Sequence, residues 1–152
     1  MSIIEGASPA DLAAILALLE RCGLPQAGLK EVLATMVVVR EARRLVGCTA
    51  LEVYGTTALL RSVAVDPIRR SHGLGNRLVQ AALSMAQQLG IHEIYLLTET
   101  AEDYFSRFGF HRIERADASP AIHCSVEWTS ACPASAQAMV LRLESGQQPC
   151  RD

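Results

Sequence analysis

The sequence has few of the features that mark metal-binding or membrane proteins. Its five cysteines are irregularly spaced and include no C-x-x-C pair, so we expect neither a metal site nor a disulfide framework. No apolar run is long enough to span a membrane. The first residues also lack the basic and apolar segments of a secretory signal. From these absences we expect a cytoplasmic protein that holds no metal and has no membrane partner.

Charged residues are scarce as well. They make up 20% of the chain, the formal net charge is −2, and Lys30 is the only lysine. Because no basic stripe stands out, nucleic acid is not expected as a partner. Apolar residues make up 50% of 152 positions, which is enough to bury a core in one domain. We expect a folded domain over 1–143 and a flexible tail over 144–152.

The hydrophobic pattern predicts a mixed α/β domain. A short strand at Ile3–Ile4 precedes a helix that is capped by Ser8 and ended by Gly23, and a second, shorter helix follows over 25–34. A long helix, which begins at Leu74 and is ended by Gly90, comes after an antiparallel meander. Its apolar face is marked by Leu74, Leu78, Ala81, Ala82, Met85 and Leu89. The other predicted elements are strands over 37–40, 45–54, 57–65, 94–98, 110–113 and 138–143, and a helix over 101–108.

The most informative segment runs from Ser62 to Asn76, where an apolar strand leads through a basic loop and two glycines into a helix. Gly73 and Gly75 let main-chain N–H groups converge, and the helix N-terminus adds partial positive charge. Such a loop suits a pyrophosphate, although a tight strand-to-helix turn would also explain the two glycines. A P-loop would need Gly-Lys-Ser/Thr, and a dinucleotide fold a third glycine and a distant acid. Neither pattern is present.

The neighbours of this loop make the chain resemble the GNAT acetyltransferases. The segment Val63–Pro67 followed by Arg70–Gly75 (R-S-H-G-L-G) resembles motif A of that family, and Tyr104–Phe110 (Y-F-S-R-F-G-F) looks like its second signature. The resemblance covers residues 2 to 143. It implies the GNAT acyl-CoA N-acyltransferase fold, which has an antiparallel N-terminal meander and then splayed central strands with flanking helices.

The resemblance also implies acetyl-CoA as the cosubstrate. The backbone of Val63, Ala64 and Val65 would bind the pantetheine arm like an added strand, and Phe105 would contact the cosubstrate. The pyrophosphate would be held by the loop, which consists of Arg70, Ser71, His72, Gly73, Leu74, Gly75 and Asn76. GNAT proteins are often dimers, so a homodimer is an expectation that comes from the family alone.

The usual acid and base of the family cannot be carried over directly. GNAT enzymes often have a glutamate at the position of Leu59 and a tyrosine at that of Phe105. The leucine and the phenylalanine of this chain cannot transfer a proton. Glu99 is our candidate base, acting through water, with a helix-start acid as the alternative. Tyr104 and Ser135 are the candidate acids, and Ser135 could equally be a turn hydroxyl.

Arg61 and Thr98 are the candidate acceptor-binding residues. Arg61 lies on an otherwise apolar strand face and therefore needs an anionic partner. That partner could be a carboxylate of the acceptor, held by bidentate pairing, or an internal one such as Glu52 or Glu99. The sequence leaves these alternatives open.

Three sequence segments indicate the chemical class of the acceptor. Residues 97–105 (L-T-E-T-A-E-D-Y-F) are similar to a segment of N-acetylglutamate synthases. They are closer still to small GNAT proteins associated with arsenic resistance, which share residues 59–65 (L-L-R-S-V-A-V) and 132–139 (C-P-A-S-A-Q-A-M) as well. The resemblance implies N-acetylation of a small amino-acid-like amine, such as glutamate or a toxic arsenic or phosphorus analogue.

Two other interpretations stay open. Because the usual glutamate and tyrosine are missing, the chain could be a CoA-binding sensor that has lost catalysis. It could also acetylate a different amine, such as a protein N-terminus, a polyamine or an antibiotic. A cationic acceptor would favour an acidic pocket, which Arg61 argues against.

Overall fold

The computed structural model of the chain describes residues 2–70, 73–131 and 135–143. The strands in this part are β1 (Ser2–Gly6), β2 (Met36–Glu41), β3 (Arg44–Tyr54), β4 (Thr57–Val65), β5 (Glu93–Thr98), β6 (His111–Ile113) and β7 (Gln137–Arg142). The helices are α1 (Leu12–Arg21), α2 (Leu74–Gln88) and α3 (Glu102–Ser106). The strands form a mixed sheet in the order β1-β2-β3-β4-β5-β7-β6, as the fold class predicted from the sequence requires. None of the helices described is both long and apolar enough to cross a membrane.

The chain divides into two compact units, the first from Met1–Glu52 and Leu60–Ser84 and the second from residues 53–59 and 85 onwards. In the first unit, β1 pairs antiparallel with β2, and β2 with β3. Helix α1 buries Ile15, Leu18 and Leu19 in one cluster with Met36 and Val38. The helical spacing of its leucines and isoleucine therefore produces the apolar face that the sequence predicts.

The predicted cap at Ser8 precedes a short 3₁₀ helix over Pro9–Asp11 that leads into α1, whereas the second helix differs from its prediction. The Ser8 N–H donates to the Asp11 carboxylate at 2.9 Å, which satisfies a donor that a helix start leaves open. The helix predicted over 25–34 is instead a 3₁₀ helix over Leu29–Thr35. Gly28 precedes it with a φ of 75°, a left-handed conformation that interrupts right-handed helical backbone.

Helix α2 approaches β3 closely at a glycine. A Cβ atom at Gly47 would lie 2.7 Å from Cγ1 of Val39 and 3.0 Å from Cδ1 of Leu78. Leu78 of α2 is fully buried there, so the absence of a side chain at position 47 lets the helix pack on the strand. Leu89, predicted on the buried face, is 49% exposed because α2 ends at Gln88.

The second unit is built around β5. The parallel pairing between β4 and β5 runs from Thr57–Glu93 to Leu59–Tyr95, and β7 pairs antiparallel with both β5 and β6. The core of this unit contains Leu59, Tyr95, Ile122, Trp128 and Val140. Helix α3 is shorter than the predicted 101–108, because its last residues continue as a turn that ends at Gly109, which has a φ of 102°.

Candidate active site

A distortion in β4 precedes the strand residues that were predicted to bind the pantetheine arm. Ser62 has a φ of 61°, which for a residue other than glycine costs roughly 1–3 kcal/mol and marks many functional sites. Two β3 side chains hold the distorted backbone in place. The Cys48 thiol donates to the Ser62 carbonyl at 3.3 Å, and the Thr49 hydroxyl donates to the Arg61 carbonyl at 3.2 Å. Burial raises the pKa of Cys48 to about 12, so its thiol keeps the proton it donates.

Arg61 is held inside the first unit. Its side chain is 0% exposed, and its Nη1 atom lies 2.7 Å from Oε2 of Glu52. The guanidinium also donates to the carbonyls of Ala27 at 2.7 Å and Pro25 at 3.3 Å. The sequence offered Glu52 and Glu99 as internal partners of Arg61, and in the structure Arg61 pairs with Glu52. The arginine thereby fixes the segment that leads into the 3₁₀ helix.

The loop after β4 is anchored by a buried aspartate. Asp66 is 3% exposed, and it accepts hydrogen bonds from the Ile68 N–H at 3.2 Å, Arg21 at 3.1 Å and Arg44 at 3.3 Å. Burial alone would raise the pKa of this carboxyl, but the hydrogen bond from Ile68 and the charges of the two arginines outweigh it and lower the pKa. The beginning of the loop is therefore fixed by an ionised carboxylate.

The two arginines of the loop have different surroundings. Arg69 pairs with both carboxylate oxygens of Glu41, at 2.6 and 2.9 Å, a bidentate geometry. Arg70 is exposed, and its Nε atom donates to the Val65 carbonyl at 3.1 Å while Nη2 lies 3.3 Å from Sγ of Cys22. Arg70 is thus laid across the end of β4.

The glycine at the end of the loop has a left-handed conformation. Gly73 has a φ of 78°, and a Cβ atom built on it would meet nothing within 4 Å. Helix α2 begins at the next residue, Leu74, and continues through Gly75 and Asn76. These glycine-loop residues thus form the first turn of a fifteen-residue helix, where unsatisfied N–H groups gather. The predicted loop residues Ser71 and His72 lie outside the described residues.

The second unit carries Thr98 and Glu99. The Thr98 hydroxyl accepts the Ala101 N–H at 3.0 Å, which caps the start of α3. Glu99 is exposed in the bend between β5 and α3. Ser135 is exposed in the turn before β7.

Helix α3 orients two neighbouring aromatic rings differently. Phe105 is 8% exposed and packs edge to face against Phe110. Tyr104 is half-buried, and the guanidinium of Arg107 lies 5.1 Å from its ring centre. Burial raises the pKa of the Tyr104 hydroxyl, and the charge of Arg107 offsets part of that rise. The hydroxyl therefore remains protonated at neutral pH.

Strands β3 to β5 and helices α2 and α3 lie within the part of the chain that matches a known family. Residues 33–112, from before β2 to β6, match the model of the acetyltransferase (GNAT) domain. The chain belongs to the GNAT acetyltransferase family. The resemblance seen in motif A and in the aromatic signature is thereby confirmed.

Relatives of this GNAT chain include an amino-acid acetyltransferase of Mycobacterium tuberculosis, with 39% identity over 72 residues. That match spans 47% of this chain and 41% of the relative. The fold is similar to that of N-acetylglutamate synthase from Neisseria gonorrhoeae complexed with coenzyme A and N-acetyl-glutamate, with a TM-score of 0.80 and 21% identity over 95% of this chain and 35% of the other. A Mycobacterium tuberculosis protein in complex with CoA has a TM-score of 0.79 and 24% identity, over 93% and 99% of the two chains.

This GNAT domain also has polar groups that the sequence did not single out. In the second unit, Glu93 accepts hydrogen bonds from the Ser119 hydroxyl at 2.7 Å and the Tyr95 hydroxyl at 3.0 Å. The Ser119 N–H donates to the Tyr95 oxygen at 3.1 Å, so the segment after β6 is tied to β5. Helical or strand periodicity could not reveal this network, because Ser119 precedes a series of short turns.

Proposed function

We propose that this chain is an acetyl-CoA-dependent N-acetyltransferase that acetylates the amine of a small amino-acid-like acceptor. Membership of the GNAT family supports the reaction class. The 39% identity to an amino-acid acetyltransferase supports the acceptor class, and so does the fold shared with a synthase complexed with N-acetyl-glutamate. Glutamate and its toxic arsenic or phosphorus analogues are the acceptors we propose first.

The observation that carries the proposal is the loop that joins β4 to α2. Its glycine, Gly73, leaves open space where a side chain would stand, and α2 begins directly after it. A helix N-terminus with converging N–H groups fits a diphosphate. Upstream, Val63 and Val65 follow the strained Ser62 and are half-buried at the end of β4. We assign the backbone groups of Val63 and the N–H group of Val65 to the pantetheine arm, because the Val65 carbonyl already accepts hydrogen bonds from Cys22 and Arg70.

Acetyl-CoA supplies an activated acyl group, the thioester. In the transfer, a bond forms between the acceptor nitrogen and the carbonyl carbon as the carbon–sulfur bond breaks, so that an amide and CoA thiol result. The nitrogen loses one proton and the sulfur gains one. The protein must therefore accept a proton, donate a proton and stabilise the negative charge on the carbonyl oxygen. We assign the last role to the backbone N–H near Val63.

Tyr104 is our first candidate for the proton donor. Its pKa is raised by burial, so it holds a proton at neutral pH that it could give to the departing sulfur. Glu99, exposed after β5, is our candidate base through a water molecule. Ser135 remains a second candidate donor, and Thr98 a candidate acceptor contact. Arg61, which is buried against Glu52, would shape the site through the segment that contains Pro25 and Ala27 rather than by direct contact.

The proposal is tested by a matched pair of glycine variants. Gly73 and Gly90 both have a φ of 78°, and a Cβ at either position would meet nothing within 4 Å. Gly73 precedes α2 and Gly90 follows it. Alanine at either position should therefore cost a similar free energy of unfolding, roughly 1–2 kcal/mol for a left-handed residue. Only Gly73→Ala should weaken binding of acetyl-CoA.

The expected readout is a rise of about tenfold or more in the KM for acetyl-CoA in Gly73→Ala. The added methyl group would occupy the open space that we assign to the diphosphate and would keep it from the N–H groups, and a hydrogen bond to a charged group contributes about 1.5–3 kcal/mol. Gly90→Ala should keep the wild-type KM. Equal values in both variants would contradict the assignment of the loop. Binding of CoA to the wild type without turnover of any amine would instead support the sensor interpretation.

A further inference from the structure

The C-terminal end of α1 lies against the loop to which we assign the phosphates. Cys22, the residue that follows α1, is half-buried. Its thiol lies 3.6 Å from the carbonyl oxygen of Val65 and 3.3 Å from Nη2 of Arg70. The preceding residue, Arg21, pairs with Asp66 at 3.1 Å. Three successive contacts therefore join the end of α1 to residues 65–70.

The Cys22 thiol, the Val65 carbonyl and the Arg70 guanidinium are joined pairwise by three hydrogen bonds. The thiol donates its proton to the Val65 carbonyl, and its sulfur accepts an N–H from Arg70. Arg70 in turn donates from Nε to the same Val65 oxygen at 3.1 Å. A side chain that is a donor and an acceptor at once is needed at position 22, and the thiol provides both functions.

This arrangement restricts an exposed arginine that would otherwise sample many rotamers. An arginine side chain loses up to about 2 kcal/mol of conformational entropy when it becomes ordered. If part of this ordering is already present in the free protein, less is lost when an anion binds. The end of α1 also carries partial negative charge, which favours a cation beside it.

We propose that Cys22 is a positioning residue for phosphate binding, which acts through Arg70. The inference rests on the proposed function, because it assigns Arg70 to the phosphates of acetyl-CoA. Cys22 would contact neither substrate. Its function would be to hold the guanidinium at the end of β4, where the phosphate loop begins.

The test is a double-mutant cycle read out by calorimetric titration with CoA, which needs no acceptor. Cys22→Ala removes both hydrogen-bonding functions and should weaken CoA binding by three- to tenfold. Cys22→Ser keeps a donor and an acceptor and should bind within about twofold of wild type. Arg70→Ala should weaken binding, and adding Cys22→Ala to it should cause no further loss, because residues that act through one another are not additive.

Cys124→Ala is the control, since Cys124 is exposed and, among the residues that the structure describes, is a cysteine of the second unit, and it should bind CoA as the wild type does. In steady-state assays, Cys22→Ala should raise the KM for acetyl-CoA while kcat and the KM for the acceptor stay constant. Additive losses in the double variant, or wild-type binding by Cys22→Ala, would overturn this inference alone. If the wild-type protein does not bind CoA, both this inference and the proposed function fail.

Discussion

The ion pair between Arg61 and Glu52 gives the sharpest quantitative prediction. The exposed fraction of the Arg61 side chain is 0%, and that of Glu52 is 6%. Replacing Glu52 with leucine would leave the buried guanidinium without this carboxylate, although the carbonyls of Pro25 and Ala27 would remain as acceptors. Removing one partner from a buried pair typically costs about 3–5 kcal/mol.

The same change can be expressed as a shift in melting temperature. For a chain of this size, each kcal/mol lowers Tm by roughly 2–4 °C, so Glu52→Leu should lower it by about 6–20 °C. The double variant Glu52→Leu/Arg61→Met removes both charges and should recover part of the loss. It would still leave the carbonyls of Pro25 and Ala27 without their donor, at about 1 kcal/mol each.

Urea unfolding followed by circular dichroism measures these differences directly. The control is the exposed pair of Arg112 and Glu102, whose side chains are 67% and 36% exposed. Glu102→Gln should lose less than about 1 kcal/mol. A loss below 1 kcal/mol in Glu52→Leu, or a double variant less stable than the single one, would show that Arg61 is not held as a buried charge.

Two further predictions concern proton transfer and pH. Tyr104→Phe should lower kcat by about 100-fold, in the range of general acid catalysis, without changing the KM for acetyl-CoA; an unchanged kcat would transfer the role to Ser135. The Ser119 hydroxyl, the Tyr95 hydroxyl and Arg142 lower the pKa of Glu93 below 4.5, so its stabilising contribution is complete above pH 4.5 and is lost as the pH falls through the folded-state pKa. In urea unfolding, Glu93→Gln should therefore be less stable than wild type at pH 7, and the difference should shrink towards pH 3. A difference that does not change with pH would contradict this account of Glu93.

Much of the fold was predictable because local patterns agree with tertiary packing. The apolar spacing of α1, the meander of β2 to β4 and the start of α2 at Leu74 all follow from periodicity and from glycine positions. The helix over 25–34 was predicted wrongly, since sequence pattern did not reveal that Gly28 would adopt a left-handed conformation. Leu89 was misplaced because a hydrophobic pattern does not fix the last turn of a helix.

The site was predictable only where it depends on backbone. The glycine loop and the strand before it have sequence signatures, and in the structure Gly73 has a left-handed conformation. The partner of Arg61 could not be chosen, because pairing between residues on different strands is set by register rather than by spacing along the chain. The contact of Cys22 with Arg70 joins residues 48 positions apart, and no local pattern indicates it.

A thiol-release assay with acetyl-CoA is the direct test of acetyl transfer to an amino-acid amine. The panel should contain glutamate, aspartate, a phosphinothricin-like analogue, neutral amino acids, spermidine and an aminoglycoside, with mass spectrometry of the product. We expect thiol release with glutamate or its analogues, matched by a product that is heavier by one acetyl group. Turnover of only the cationic amines, or of no amine at all, would contradict it.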